Sequence, residues 1–465
     1  MAKFGDMRDL IAALPDAPRS TAQPWTWGDT PDAIAAQLAG LKTFLWLESC
    51  GAGDRHLLLG ERWRIEGWPT VWIAITPEGE VRHTRHPGES AFDFLDLLER
   101  EWLSRQDRRT LLGLFFAYET GWHIEKRSRQ PKDNDTPEFV IFCPEASAFY
   151  PGGHGGNFIG SLPEPRPCPP RADFAHGARL RLLQDRARYG EQVRRIKAEI
   201  RAGNTFQANL SQGYAVEGRV DALGFALDLF AHEPAPFAAC WRTPGFEIVS
   251  QSPERLLRRE PDGRLFTRPI AGTLPRGSGP DEARRIEDFK INFKELAEHN
   301  MLIDLARNDL GKVSRPGSVR VAEHLTVESY RHLHHLVSEV RGEAVPGTGA
   351  GRIIAAMFPG GTITGCPKPS TMKILDELEE GARGPYTGSL GYLSADGRLD
   401  LNILIRSALV LPNRTIFRTG GGIVWDSEEE AEYRETLVKA RGLAASLRRG
   451  GAVLADGAEV ICQLQ

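Results

Sequence analysis

The sequence predicts an α+β protein built from many short strands, with helices placed between and after them. Many short segments alternate apolar and polar residues, a pattern typical of strands with one buried face. Helical segments stand between and after these strands rather than after each one, which disfavours a doubly wound parallel sheet. The nucleotide-binding patterns GxGxxG after a first strand and GxxxxGK[ST] are absent from the 465 residues.

Composition narrows the classes of partner. Apolar residues make up 41% and charged residues 26%, which is ordinary for a soluble protein. The formal net charge is -4, which disfavours nucleic acid or an anionic membrane as a partner. The six cysteines are scattered without CxxC spacing, and no apolar run is long enough to cross a bilayer. We therefore expect a cytoplasmic protein.

Residues 1–175 are predicted as one N-terminal region, mostly of β structure. FLWLESC at 44–50 is an apolar strand that Glu48 and Ser49 interrupt. The Gly- and Pro-rich segment 152–175 predicts a linker or long surface loop, and this change of composition sets the boundary. Further elements expected here are helices at 31–41 and 92–105, a hairpin at 70–86, and strands at 111–122 and 139–151.

Residues 180–450 are predicted as a second region, and 451–465 as a C-terminal tail. The alternating segment 318–343 carries His332, His334 and His335. Because acidic and cysteine neighbours at metal-ligand spacing are absent, this cluster favours one catalytic or core histidine among surface ones. Further elements expected are helices at 188–203, 293–313 and roughly 370–380, and strands at 204–217 and 399–407.

A pocket for a small anion is predicted from the segment 358–436. Arg406 ends an apolar strand, and its planar guanidinium suits a carboxylate held by two hydrogen bonds. The glycines from Gly420 to Gly422 are expected to form a turn whose N–H groups approach a ligand closely. Lys368 closes a Gly- and Pro-rich loop just before a helix, where the helix N-terminus adds positive potential. A surface arginine and an ordinary tight turn are the alternatives.

Two pairs of glutamates predict a site for a divalent cation. Glu432 and Glu435 are three residues apart on a helix that Ser427 is expected to cap, and Glu295 and Glu298 have the same spacing on the helix at 293–313. Two such pairs facing each other would be costly unless a cation neutralised them. Oxygen ligands without Cys or His suit Mg²⁺. Each pair alone is more often a solvated acidic face, and the cation interpretation depends on having two pairs together with the anion pocket.

Nine motifs in sequence order resemble those of the chorismate-utilising enzymes, over roughly residues 185–447. LWLESC and FFAYETGW extend the resemblance into the N-terminal region. The resemblance implies an anthranilate-synthase-component-I-like fold, with antiparallel sheets packed in a sandwich and helices at the periphery. The nine motifs are FQANLSQ, SQSPERLL, RPIAGTLPRG, KELAEHNMLIDLARNDLGKV, ESYRHLHHLVSEVRG, FPGGTITGCPK, GPYTGSLGYL, LDLNILIRS and GGGIVWDSEEEAEYRET.

The resemblance also implies roles for individual residues. Arg406 and Tyr386 would hold the enolpyruvyl carboxylate of chorismate, and His335 would lie near the ring hydroxyl that leaves. Thr273 matches the threonine of the family motif PIxGT, and Lys368 lies in the family's GxPK loop. The backbone of Gly420, Gly421 and Gly422 would assist at the carboxylate, and Glu295, Glu298, Glu432 and Glu435 would hold Mg²⁺, directly or through water.

Two residues bear on which member of the family this is. Water-using members resemble each other in having a lysine where this chain has Gln207, and a glutamine cannot act as a general base near neutral pH. Ammonia is therefore the expected nucleophile. Ala271 stands where aminodeoxychorismate synthases usually have a lysine, and it matches the anthranilate-synthase pattern. Five other motifs look more like aminodeoxychorismate synthase component I, which is the expected activity. Anthranilate synthase component I is the alternative.

The remaining expectations concern partners. The LES stretch with Glu48 and Ser49 matches the family's tryptophan-binding segment, and a plain core strand is the alternative. A cysteine elbow of the GxCxG kind is absent, so a separate glutamine amidotransferase subunit is expected to supply ammonia. A non-catalytic regulator that binds chorismate or tryptophan is a further alternative, which the complete set of Glu, Arg, Gly and Lys residues disfavours.

Overall fold

The structure is a computed structural model of the whole chain, and parts of the chain are left out of its description. It describes residues 7–18, 23–24, 30–49, 54–125, 132, 134–150, 157–160, 172–277, 281–291, 293–329, 333–455, 458 and 461. Within these ranges only the backbone is described at Asp9, Gln23, Pro24, Glu125, Ala271, Thr273, Pro275, Phe293, Lys294, Glu295 and Leu333. His332 and most of the predicted loop 152–175 lie outside the described residues.

Eleven α-helices occur in the described residues, and most begin within a few residues of the predicted positions. None of the described helices has both the length and the hydropathy that crossing a bilayer requires. The helices are α1 Met7–Ala12, α2 Pro31–Leu38, α3 Ala91–Glu101, α4 Trp122–Glu125, α5 Arg186–Arg201, α6 Ala222–His232, α7 Glu282–Lys290, α8 Phe293–Gly311, α9 Ala350–Met357, α10 Lys368–Leu378 and α11 Glu429–Arg449.

The strands are short and run through the whole chain. They are β1 Gln23–Pro24, β2 Phe44–Glu48, β3 Arg55–Leu59, β4 Trp63–Gly67, β5 Val71–Thr76, β6 Gly79–Thr84, β7 Leu111–Phe116, β8 Phe139–Cys143, β9 Ala146–Tyr150, β10 Asn157–Ile159, β11 Arg179–Leu182, β12 Gln207–Glu217, β13 Phe237–Thr243, β14 Phe246–Ser252, β15 Arg255–Arg259, β16 Arg264–Thr267, β17 Ile270–Pro275, β18 Arg320–Ser329, β19 Leu333–Glu343, β20 Gly365–Cys366, β21 Ser389–Ser394, β22 Leu399–Asn402, β23 Ser407–Leu411, β24 Arg414–Ile423 and β25 Val453–Leu454.

These strands form two large sheets. The first has the order β1-β10-β9-β3-β2-β13-β14-β23-β24-β12-β11-β25, with β20 beside β12. The second has the order β17-β19-β16-β15-β22-β21-β7-β8-β4-β5-β6, with β18 beside β19. Among the described residues every pairing is antiparallel except that of β11 with β25. The α+β prediction is therefore confirmed.

The apolar core is divided by the two sheets. One cluster joins Leu45 and Trp241 of the first sheet to Phe115 and Leu390 of the second, so the two sheets face each other as a sandwich. Two larger clusters lie on the outer faces, where helices cover them. Strands of both predicted regions share each sheet, because β2 pairs with β13 and β7 pairs with β21.

Two predicted strands are each divided between the sheets. The strand predicted at 139–151 is really β8 in the second sheet and β9 in the first. The strand predicted at 399–407 is likewise β22 in the second sheet and β23 in the first. Residues 403–406 cross between the sheets, and the apolar run continues into this crossing because Ile403 and Leu404 are buried there.

Two further predictions about the segment after residue 414 are wrong. Gly420, Gly421 and Gly422 lie inside β24 and do not form a turn. Ser427 does not cap α11, because Glu428 is the residue at the cap position. The Ser427 hydroxyl instead accepts a hydrogen bond from the Val424 N–H at 3.0 Å and closes the turn before the helix.

A buried ion pair joins the elements that surround this part of the first sheet. The Arg383 guanidinium donates to both carboxylate oxygens of Glu379 at 2.7 Å, and both residues are less than a tenth exposed. Burial opposes the charge on Glu379, but Arg383 outweighs it and lowers the pKa of that carboxyl. Arg383 also donates to the Asn209 carbonyl at 2.6 Å, and Glu379 accepts the Ser211 N–H at 2.9 Å. The pair therefore fixes β12 to the loop after α10.

Arg383→Met is expected to lower the free energy of unfolding by about 3–5 kcal/mol, because it leaves the Glu379 carboxylate buried without its counter-charge. Urea denaturation measures this loss. The matched control is Arg315→Met, since Arg315 pairs with Glu343 at 3.5 Å with both side chains more than half exposed. That substitution should change stability by about 0.5 kcal/mol or less. Equal losses in the two variants would contradict the assignment.

Candidate active site

The candidate site begins at an edge of the first sheet where a strand is cut short. Strand β23 pairs with β24 only as far as Phe417. Beyond that point, Gly420 and Gly422 lie opposite Ser211 and Asn209 of β12. The N–H groups of Ser211 and Asn209 donate away from β24, to Glu379 and to the carbonyl of Thr364. In an antiparallel pair, two opposed residues point their main-chain groups either toward each other or both outward. Because Ser211 and Asn209 point theirs outward, Gly420 and Gly422 also point theirs outward, into the gap on the other side of β24.

The glycines also allow side chains to approach the strand closely. A Cβ atom at Gly422 would lie 2.3 Å from Nε2 of Gln207, and one at Gly420 would lie 2.5 Å from the Tyr386 hydroxyl. Both contacts are shorter than real Cβ atoms make, so a side chain at either glycine would displace its neighbour. Gln207 and Tyr386 are both buried. The structure thus brings three predicted groups together: Gln207, Tyr386 and the glycine backbone.

Arg406 lies where the chain leaves the sheet crossing and enters β23. Its φ of +49° is in the left-handed region, which is uncommon for a side chain other than glycine and costs about 1–3 kcal/mol. The carbonyl of Arg406 accepts the Gln251 N–H at 3.0 Å, which holds this conformation. The Arg406 guanidinium lies close enough to His335 and Glu254 to lower the pKa of each. The structure therefore brings Arg406 and His335 close together.

Glu254 is a candidate site residue that sequence reasoning missed. It is 5% exposed, and its carboxylate accepts a hydrogen bond from the Thr362 hydroxyl at 3.1 Å. Burial raises the pKa of Glu254 to about 7, against the lowering effect of Thr362, Arg406 and Lys439. A carboxyl with this pKa can hold or release a proton near neutral pH. Its motif SPERLL was visible in the sequence, but its burial was not.

His335 is held neutral at the same place. Burial and the neighbouring Arg406 lower its pKa to about 4. His335 lies opposite Thr273 in the pairing of β19 with β17, so the backbone brings these two predicted residues together. His334 has a structural role, because its ring nitrogens contact Ser329 at 2.8 Å and Glu282 at 2.6 Å.

The two lysines near the site differ in what they contact. Lys439, which was not predicted, donates to the Gly420 carbonyl at 2.8 Å and pairs with Glu435 at 2.7 Å. It also lowers the pKa of Glu254, so its ammonium belongs to the site. Lys368, which was predicted, pairs with the buried Asp309 at 3.0 Å and donates to the Met357 carbonyl. Lys368 thus joins α10 to α8 in this structure, and its catalytic role stays a prediction.

The two glutamates of α11 point at the glycine strand from its other face. A Cβ at Gly421 would lie 2.9 Å from an oxygen of Glu432 and 3.9 Å from one of Glu435. The Tyr189 hydroxyl lies 3.9 Å from the same point and has no hydrogen-bond partner among the described residues. Burial and then the two glutamates raise the pKa of Tyr189. Clustered carboxylates beside an unsatisfied buried oxygen fit a hard divalent cation such as Mg²⁺.

The second predicted pair of carboxylates is described only in part. Helix α8 carries Glu298, which is half-buried, and packs against β17 and β19. The side chain of Glu295 lies outside the described part of the chain. Within that part, no three side chains of His, Cys, Asp or Glu gather as a ready-made metal site. The four-glutamate Mg²⁺ site stays a prediction.

The candidate tryptophan segment has a structural explanation of its own. Glu48 is buried, and its carboxylate accepts two hydrogen bonds from Arg55, at 2.6 and 3.0 Å, and one from the Trp46 indole at 3.1 Å. These contacts account for a glutamate in an apolar strand. Ser49 is buried beside it. Tryptophan binding at Glu48 and Ser49 stays a prediction.

Comparison with known proteins bears out the resemblance. A family model described as chorismate binding enzyme matches residues 42–445. A protein of Synechocystis named anthranilate synthase component I-like is 43% identical over 91% of this chain and 92% of its own length. Anthranilate synthase component 1 1 of Haloarcula marismortui is 48% identical over 56% of this chain and 53% of its own length. Aminodeoxychorismate synthase component 1 of Bacillus subtilis is 43% identical over 56% of this chain and 55% of its own length. This chain thus spans about half the length of the latter two.

Solved structures share the fold. Anthranilate synthase component I of Streptococcus pneumoniae superposes with a TM-score of 0.73 at 27% identity, over 85% of this chain and 93% of its own. The menaquinone-specific isochorismate synthase of Escherichia coli also gives a TM-score of 0.73, at 17% identity, over 95% of this chain and 98% of its own. The second match shows the fold alone. Taken with the family model, these relatives show that the chain belongs to the chorismate binding enzymes.

Proposed function

We propose that the chain is component I of an aminodeoxychorismate synthase, which replaces the C4 hydroxyl of chorismate by an amino group and releases water. The observation that carries amination is Gln207, whose buried amide lies over the Gly422 backbone. A neutral amide there cannot deprotonate water, whereas ammonia attacks without losing a proton first. The product would feed the synthesis of 4-aminobenzoate and folate.

Chorismate is a dicarboxylate, and the site offers matching positive groups. Arg406 and the N–H groups at Gly420 and Gly422 line the gap beside β24 and would hold one carboxylate. Lys439 bonds the Gly420 carbonyl at the same edge and adds a second cation. Tyr386 lies over Gly420 and would limit where the substrate sits.

Glu254 is the group best suited to protonate the leaving hydroxyl. A hydroxyl leaves readily only when it takes up a proton. His335 is a poor donor, because its pKa of about 4 keeps the ring neutral near pH 7. Glu254, with a pKa of about 7, retains a proton on a substantial share of molecules at that pH. His335 would then orient the hydroxyl that Glu254 protonates.

A divalent cation would be held by Glu432 and Glu435, together with Glu295 and Glu298. When bound, it supplies Lewis-acid stabilisation of the ring carboxylate. Tyr189, whose hydroxyl lies beside the first pair, would orient these carboxylates.

Ammonia is proposed to come from a separate glutamine amidotransferase subunit. Relatives of this chain carry the name component 1, which implies a further component in those enzymes. The cysteines at Cys143 and Cys240 are buried, and burial raises the pKa of each thiol. Neither is suited to glutamine hydrolysis, which needs a thiolate.

Anthranilate synthase component I is the second candidate, and Ala271 favours it. Aminodeoxychorismate synthases are expected to attack the chorismate ring with a lysine at this position. Ala271 replaces that lysine and has no nucleophilic group. Relatives carry both names at similar identity. Five motifs favour amination at C4: FPGGTITGCPK, YTGSLGYL, LDLNILIRS, ESYRHLHHLV and GGGIVWDSEEEAEYRET. The two reactions give different products.

A product assay tests the proposal. The purified chain is incubated with chorismate, Mg²⁺ and ammonium chloride at raised pH, with and without aminodeoxychorismate lyase. We expect 4-aminobenzoate only when the lyase is present. Fluorescent anthranilate formed without the lyase would establish amination at C2 instead, and would make Ala271 the decisive residue.

The pH dependence of turnover tests the role of Glu254. Because Glu254 must be protonated to act as an acid, kcat should fall as the pH rises through about 7, measured at constant free ammonia. Glu254→Gln should lower kcat about 100-fold or more and abolish this limb of the profile. Glu247→Gln is the control, because Glu247 is a half-buried carboxyl whose pKa is also raised by burial but which pairs with Arg242. A limb that survives in Glu254→Gln would rule out the assignment.

Metal dependence tests the glutamates. Removal of Mg²⁺ by a chelator should abolish turnover, and added Mg²⁺ should restore it. Glu298→Ala and Glu435→Ala should each abolish Mg²⁺-dependent turnover while the melting temperature stays near that of the parent. Glu429→Ala is the control and should leave turnover unchanged. Glu429 lies on α11 with Glu435, but it pairs with Arg194 at the surface. Normal activity in either of the first two variants would contradict the site.

A further inference from the structure

We propose that Lys132 is a positioning residue that holds Tyr386 in its place at the site from the N-terminal region of the chain. The inference rests on the proposed function, because it takes Tyr386 as a group that binds a carboxylate of chorismate. Lys132 acts through residues 379–388, which run from the end of α10 to the start of β21 and which we call the Tyr386 loop.

Lys132 closes the C-terminal end of α10. Its ammonium donates to the carbonyls of Asp376 and Glu379, at 2.5 and 2.8 Å, and pairs with the Asp376 carboxylate at 3.1 Å. The last carbonyls of a helix lack partners within the helix and carry partial negative charge. An ammonium at this point both satisfies these carbonyls and complements their charge. Lys132 therefore fixes the point at which the chain leaves α10 and enters the Tyr386 loop.

The fixed end of α10 carries one member of the buried ion pair. Lys132 bonds the Glu379 carbonyl, and the Glu379 carboxylate binds the Arg383 guanidinium at 2.7 Å. That guanidinium lies 5.7 Å from the ring centre of Tyr386. A displaced Glu379 would therefore carry Arg383 with it and remove the charge that the Tyr386 ring faces.

The Tyr386 loop needs contacts from outside because its own backbone conformation is unfavourable. Gly381, Gly384 and Thr387 have φ values of +70°, +57° and +62°. Glycine adopts such values freely, whereas threonine, which is β-branched, rarely does. A residue in a sparsely populated conformation persists only where the surrounding structure determines it strongly. Thr387 directly follows Tyr386, so the strained residue lies next to the one that would bind substrate.

Other residues of the N-terminal region hold the second half of the same loop. Glu119 accepts the N–H groups of Arg383 and Gly384, at 2.8 and 3.0 Å. The Tyr118 N–H donates to the Gly384 carbonyl at 2.9 Å. Lys132 offers the cleaner test of this set, because its side chain is 24% exposed whereas Glu119 is buried.

Chorismate binding without a nitrogen source tests the inference. The dissociation constant of the whole chain for chorismate is measured by calorimetry, with Mg²⁺ present and ammonium absent. Lys132→Met keeps the length of the side chain but removes its charge and donors. We expect about 10-fold weaker binding, the change that corresponds to one lost charge-assisted hydrogen bond, while the melting temperature stays near that of the parent. Lys132→Arg keeps a charge and donors and should bind within about 3-fold of the parent.

A double variant shows whether Lys132 acts through Tyr386. Tyr386→Phe should itself weaken binding, because it removes the hydroxyl proposed to hold a carboxylate. If Lys132 only places this hydroxyl, adding Lys132→Met to Tyr386→Phe should weaken binding by less than about 2-fold more. Lys373→Met is the matched control and should leave binding unchanged, because Lys373 also lies on α10 but pairs with Glu377 at 3.9 Å at the surface.

The inference is overturned if Lys132→Met binds chorismate as tightly as the parent, or if Lys373→Met weakens binding as much. It is also overturned if the two losses multiply in the double variant, since Lys132 would then act independently of Tyr386. A parent chain that binds chorismate but forms neither aminated product contradicts the proposed function and leaves the binding comparison intact. Failure of the reaction and failure of the positioning role are therefore distinguishable.

Discussion

The buried ion pair between Arg383 and Glu379 is the interaction on which the geometry of the site depends. It joins three segments that are far apart in the sequence. Arg383 bonds the Asn209 carbonyl of β12, and its guanidinium lies 4.5 Å from the ring centre of Tyr118 and 5.7 Å from that of Tyr386. Glu119, next to Tyr118, accepts the N–H groups of Arg383 and Gly384. Tyr386 is therefore positioned by a charge network, and the N-terminal region contributes a carboxylate to it.

The second constraint is the passage of the chain from one sheet to the other at residues 403–406. Since β22 and β23 belong to different sheets, β23 begins only after Arg406. Along its glycine segment, β24 then has no neighbouring strand on that side among the residues that the structure describes. The crossing thus does two things at once. It exposes main-chain groups of Gly420 and Gly422 to the gap, and it turns Arg406 into the left-handed conformation beside them. A gap lined by main-chain groups follows from ending the strand early.

The sequence predicted the components of the site better than their arrangement. Motif order and residue chemistry identified Gln207, Arg406 and the glycines, because each departs from what an ordinary buried strand contains. The crossing at 403–406 was missed, because buried apolar residues continue from β22 into the crossing without a break. Glu254, between β14 and β15, and Lys439, on α11, were missed because a single charged residue carries no sign in the sequence of its depth or of its neighbours. The glycines were wrongly assigned to a turn, because glycine is common both in turns and inside strands where another group approaches the backbone closely.

The electrostatics of the site favour ammonia over ammonium. Arg406 and Lys439 place two fixed cations beside the gap. Burial, and then the neighbouring Arg406, lower the pKa of His335, a base that would otherwise gain a proton more readily. Ammonia entering the same region would experience the same positive potential, which lowers the pKa of its conjugate acid and keeps the lone pair available. A lysine at position 207 would add a third cation, whereas the amide of Gln207 is neutral. A neutral residue at this position therefore agrees with a site that binds a dianion and uses an uncharged nucleophile.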